Sequence, residues 1–74
     1  MQVLKNGQKQ SKVNINRANK EKLMTLPGVG ESTALKIIEY RTQNGDYKSI
    51  EDLKKVAGIG DSKFNNLKEY VTVK

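Results

Sequence analysis

Leu26-Pro27-Gly28-Val29-Gly30-Glu31-Ser32 and, 30 residues later, Val56-Ala57-Gly58-Ile59-Gly60-Asp61-Ser62 are two copies of one turn. The likeness spreads outward from them. Residues 19–40 laid over residues 49–70 are identical at Glu21/Glu51, Leu23/Leu53, Gly28/Gly58, Gly30/Gly60, Ser32/Ser62, Glu39/Glu69 and Tyr40/Tyr70. Similar pairs fill the intervals: Asn19/Ser49, Leu26/Val56, Val29/Ile59, Glu31/Asp61 and Ile37/Leu67. Self-similarity at this period means that one supersecondary unit occurs twice and that each copy must bury its apolar face on the other.

Each copy reads as short helix, tight turn, longer helix. Asn19 and Ser49 suit the N-cap, where a side-chain oxygen accepts from the free amides of the first turn. Glu21, Glu51 and Asp52 then put negative charge where the helix dipole favours it. Leu23 with Leu26, and Ile50 with Leu53 and Val56, recur at helical spacing. The first helix of each unit is expected to stop at Gly28 or Gly58, because glycine reaches the left-handed conformation without a Cβ clash. Pro27 reinforces the first stop by biasing Leu26 away from helix. The second helices are expected over 31–44, with Ala34, Leu35, Ile37 and Ile38 as an apolar stripe and Gly45 as its stop, and over 61–70, with Phe64, Leu67 and Val71 inward. Residues 46–48 form the connecting turn. Val13, Ile15 and Ala18 brace the first unit, Val71 and Val73 the second. Residues 1–11 have no periodicity and are expected to be a disordered basic flank.

A Gly-x-Gly turn that opens a helix has a chemical consequence. The first amides of the helix have no intrahelical partner and stand at the positive end of its dipole, which makes an anion site. Glycines let an external group approach the backbone, and a phosphate oxygen fits. Val29 and Ile59 are expected to point into the core as anchors. Ser32 and Ser62 can donate a hydroxyl to phosphate or cap the helix, while Lys36 and Lys63 can supply charge. Glu31 and Asp61 follow the second glycines directly, where a carboxylate repels phosphate, so they must turn aside. Backbone contacts of this kind give modest, salt-dependent affinity. No helix has the look of a base reader, so sequence specificity should be low.

Composition narrows the alternatives. Seventy-four residues with 35% hydrophobic content make one small aliphatic-core domain. Neither Cys nor His is present, which removes thiolate and imidazole chemistry, disulfides and the commonest metal ligands. Catalysis, a metal site, a cofactor and a small-molecule substrate are therefore not expected. The glycine turns match no Rossmann or P-loop pattern. No run nears the roughly 20 apolar residues of a membrane span, and the basic start is not followed by a signal-peptide core. The net charge is +6, but residues 1–18 carry Lys5, Lys9, Lys12 and Arg17 without an acid. Residues 19–45 hold four basic groups against three acids, and residues 46–74 six against five. The repeat itself is only mildly basic, so charge alone is weak evidence for nucleic acid.

The stretch Leu26 to Ala34 resembles the helix-hairpin-helix motif, in which an apolar-Gly-apolar-Gly turn is followed shortly by Ala. The wider pattern resembles the DNA-binding domain of the competence protein ComEA family: Val13-Asn14-Ile15-Asn16, Ala18, Leu23, Ile37-Ile38-Glu39-Tyr40-Arg41, Asn44-Gly45, Lys48-Ser49, Asp52-Leu53, Gly58-Ile59-Gly60 and Val71-Thr72-Val73. The resemblance covers residues 12–74. It implies an all-α fold of two helix-hairpin-helix units packed as one compact domain, with units of about 13–45 and 46–74. It also implies non-catalytic, sequence-independent binding of double-stranded DNA during natural transformation, at the outer face of the cytoplasmic membrane. Phosphate contacts would fall on the backbone of Gly28, Val29 and Gly30 and of Gly58, Ile59 and Gly60, with help from Ser32, Thr33, Ser62 and Lys63. Two departures stand out. Phe64 replaces the motif's Ala, which implies more widely spaced helices and a weaker second contact. The membrane anchor of the family is not found in these residues, so the segment itself should not touch membrane and should be monomeric in isolation. A cytoplasmic relative, a protein-interaction or structural module, or an accessory domain of a DNA repair enzyme are the alternatives.

Overall fold

The computed structural model describes residues 12–74, so the basic flank over 1–11 lies outside the described residues. The order of elements is β1 (Val13–Asn14), α1 (Lys20–Leu23), α2 (Glu31–Asn44), a 3-10 helix (Ile50–Lys55), α3 (Asp61–Leu67) and β2 (Val71–Thr72). The architecture is all-α, with helices doing the packing and one very short parallel strand pair joining the ends.

The repeat governs the core. Leu23/Leu53, Leu26/Val56, Val29/Ile59, Ala34/Phe64 and Ile37/Leu67 are buried as five equivalent pairs. Leu23, Leu53, Ile37 and Leu67 have no exposure at all. Each side chain of this kind removed from water contributes about 1.5–3 kcal/mol, and neither unit could bury its share alone. Leu35, expected in the stripe of α2, instead faces solvent at 48% exposed, because the stripe is narrower than its sequence pattern suggests. Ile38 packs partly against the core.

The short helices depart from expectation. Both end before the glycines, at Leu23 and Lys55, and α1 spans only four residues. Asn19 caps α1 as expected, its side chain accepting from the Lys22 amide at 2.9 Å. Ser49 makes no side-chain cap. Asp52 instead accepts from the Lys48 amide, ahead of the helix, at 3.1 Å, and its own amide donates to the Ser49 carbonyl in the 3-10 turn. The Lys48 amide, with Lys55 nearby, holds the Asp52 carboxyl below the usual carboxylate range. α3 stops at Leu67, three residues short of its expected end at residue 70.

The two braces meet each other. β1 and β2 pair in parallel with Val13 opposite Val71 and Asn14 opposite Thr72, and the amides of Val13 and Ile15 donate to the carbonyls of Tyr70 and Thr72. Asn16 then clasps three segments. Its Oδ1 accepts from the Tyr47 amide, and its Nδ2 donates to the carbonyls of Tyr47 and Val73 at 3.1 and 3.2 Å. The connecting turn is part of the core: Tyr47 is 3% exposed, stacks on Tyr40 at 5.1 Å, and donates its hydroxyl to the Ile37 carbonyl at 2.9 Å. Arg41 reaches from α2 to the Ile15 carbonyl at 2.8 Å.

Candidate nucleic-acid interface

The two glycines of each turn have different reasons to be there. Gly28 and Gly58 have φ of +77° and +94°, the left-handed region in which a side chain is strained. They serve the turn's geometry, after the short helices have already ended. Gly30 and Gly60 are N-caps with φ −94° and −101° in extended backbone that any residue adopts. A Cβ at either would meet nothing within 4 Å. Neither makes a side-chain cap, although Ser, Asn or Asp would stabilise the helix start there. The fold does not require glycine at these two positions.

Not every amide of the turns is open. Val29 and Ile59 are buried, at 5% and 3% exposed, and their amides donate back to the carbonyls of Leu26 and Val56 at 3.2 and 3.0 Å. Their side chains are the anchors expected, and their N–H groups are spent inside the turn. Among the described residues, no hydrogen bond takes up the amides of Gly30, Glu31 and Ser32, or of Gly60, Asp61 and Ser62. Those are the donors left facing outward. Ser32 and Ser62 are exposed beside them, and Thr33 and Lys63 are half-buried at the equivalent place one residue further. Lys36 is exposed on α2, where it shares a shallow cleft with Val56 and Ala57 of the other unit.

The acids do turn aside, each toward a lysine of the preceding short helix. Lys20 Nζ lies 3.0 Å from Glu31 Oε2, and Lys54 Nζ lies 3.5 Å from Asp61 Oδ1. The bond to Glu31 raises the Lys20 ammonium above its ordinary pKa. These pairs are exposed and contribute little stability. Their effect is local, since each carboxylate beside an open turn has a cation next to it. Neither lysine was singled out by sequence: they stand at non-equivalent places of the repeat, opposite Ile50 and Met24, and only the acids recur.

Phe64 is accommodated within the core at 5% exposed, with Lys54 Nζ 5.0 Å from its ring centroid. Lys63 crosses between units: its Nζ donates to the Gly28 carbonyl at 3.2 Å. Among the described residues there is no cluster of potential metal ligands and no helix long and apolar enough to cross a membrane.

Comparison with known proteins agrees with this geometry. Residues 8–72 match the helix-hairpin-helix motif family. The chain is 47% identical over 72 residues to ComE operon protein 1 of Bacillus subtilis (strain 168), covering 97% of this chain and 35% of that protein. It is 45% identical over 64 residues to the endonuclease/exonuclease/phosphatase family domain-containing protein 1 of Homo sapiens, covering 86% of this chain and 11% of that one. A kinesin-like protein, KIF22 of Danio rerio, is 30% identical over 64 residues that make up 10% of its length. The chain spans a minor part of the length of each of these relatives. With two glycine turns opening two helices and a family match across almost all of its length, the chain belongs to the helix-hairpin-helix motif family.

Proposed function

We propose that this domain binds double-stranded DNA without reading its sequence and without catalysis, each turn gripping one backbone phosphate through its open amides. The observation that carries this reading is the pair Gly30 and Gly60. The fold would accept a side chain at both, helix capping would favour one, and both units nevertheless leave the space empty. An external group that must reach the backbone accounts for that. The contacts are those carried by Gly28, Gly30, Gly58 and Gly60, with Ser32, Thr33, Ser62, Lys36 and Lys63 around them. Val29 and Ile59 contribute as anchors that hold the turns rigid.

The substitutions Gly30→Asn and Gly60→Asn test it cleanly. Asn is a strong N-cap, so each variant should be as stable as the parent or a few tenths of a kcal/mol more so. Its side chain would take the amides meant for phosphate. A hydrogen bond to a charged group contributes about 1.5–3 kcal/mol, so titration of a labelled duplex should show affinity falling by roughly tenfold or more for each. Unchanged affinity in folded variants would remove the phosphate-turn mechanism.

The similarity to ComE operon protein 1 supports a place in competence as the DNA-receptor domain of a longer, membrane-anchored protein. The similarity to an endonuclease/exonuclease/phosphatase family protein supports a second setting, an accessory DNA-binding domain of a larger repair enzyme. Gene context separates them, because an upstream hydrophobic segment belongs to the first and a nuclease domain to the second. In both, this domain acts as a monomer that binds.

A further inference from the structure

We propose that Lys63 is a phosphate-binding residue of the first turn, supplied by the second unit, so that the grip at Gly28–Gly30 is built from both repeats. This rests on the phosphate reading of the turns. Lys63 lies three residues after Gly60 in sequence, and its expected place is at its own turn. Its ammonium is instead bonded to the Gly28 carbonyl, and its Cε is 4.0 Å from where a Gly28 Cβ would stand. The charge is unspent. Glu31 is paired with Lys20 and Asp61 with Lys54, and no carboxylate among the described residues pairs with Lys63. A neutral carbonyl occupies one of its three N–H donors, leaving two, together with a full charge, at the first glycine of the turn.

The equivalent residue of the first unit is Thr33, which has neither the length nor the charge to repeat the contact at Gly58. Lys36 of the first unit lines a shallow cleft together with Val56 and Ala57, ahead of the second turn. Two consequences follow. The turns are joined by a strut and move as one body, and the first turn has a bound cation that the second lacks.

The substitution Lys63→Met keeps the stem and removes the charge. Two readouts, one without DNA, decide the matter. In the free protein, Lys63→Met should shift the backbone amide resonances of Gly28, Val29 and Gly30, although they are more than 30 residues away in sequence. Shifts confined to residues near 63 would overturn the crossing. In duplex titrations at varied salt, Lys63→Met should lower the slope of log affinity against log salt by about 0.9, the value of one neutralised phosphate. It should do the same in the Gly60→Asn background and have no further effect in the Gly30→Asn background. The reverse, a loss that vanishes with Gly60→Asn, would assign Lys63 to its own turn. If the parent protein fails to bind any duplex at low salt, the phosphate reading falls and this proposal with it, while the free-protein spectrum still reports whether the strut exists.

Discussion

Four glycines in two turns divide by conformation. At Gly28 and Gly58 the backbone has positive φ, and a Cβ costs about 1–2 kcal/mol whatever the space around it. The substitution Gly28→Ala should therefore lower the melting temperature, and thermal unfolding of Gly28→Ala beside Gly30→Asn should separate the two kinds of glycine. A parent-like melt for Gly28→Ala would contradict the left-handed turn. The left-handed role of Gly28 and Gly58 was legible in the sequence, but the ordinary extended backbone of Gly30 and Gly60 was not, because the same letter serves both conformations. The sequence also revealed Val29 and Ile59 as anchors, since an apolar residue between two glycines has nowhere else to go. Asn16 and Lys63 were beyond reach as contacts. Their partners lie 31, 57 and 35 residues away, and no local periodicity encodes such distances.

Among the elements, α2 has the expected bounds because its stripe, its glycine start and its Gly45 stop agree with one another. The short helices were less legible. Ser49 stands at the N-cap like Asn19 but makes no side-chain bond there, and the Asp52 carboxylate instead accepts from the Lys48 amide ahead of the helix. The largest omission was Tyr47, an aromatic in an otherwise polar connecting turn, which locks that turn to α2. Burial pushes its phenol well above the ordinary tyrosine pKa of about 10. The folded state thus keeps a proton that the unfolded chain gives up, so this contribution is intact below about pH 10 and declines as pH rises further. The substitution Tyr47→Phe should cost about 1 kcal/mol at neutral pH through the lost bond to the Ile37 carbonyl. That difference from the parent should shrink in denaturant titrations above pH 10. A constant difference up to pH 11 would show that the phenol does not stay protonated in the fold.

For the molecule as a whole, the excess charge is spread along the chain: two of the six charges lie in residues 1–11, two on Lys12 and Arg17 and two in the repeat. Residues 1–11 contribute Lys5 and Lys9, while the repeat is nearly balanced and its acids beside the turns are paired. Removing residues 1–11 should flatten the salt dependence of duplex binding by at most about two units of slope, and leave the amide shifts at both turns on adding duplex as they were. Loss of those shifts would move the binding surface to the flank.

The pairing of β1 with β2 has a mechanical side. Val13 and Val71 lie side by side in strands that run the same way, one at the start of the described chain and the other near its end. Pulling on the two ends draws the strands in opposite directions along their common axis. The Val13–Tyr70 and Ile15–Thr72 hydrogen bonds, with the Asn16 clasp on Val73, are then loaded together in shear. An antiparallel hairpin pulled at its open end would part them one at a time. A small domain closed this way resists tension applied through its termini better than one closed by an antiparallel hairpin would.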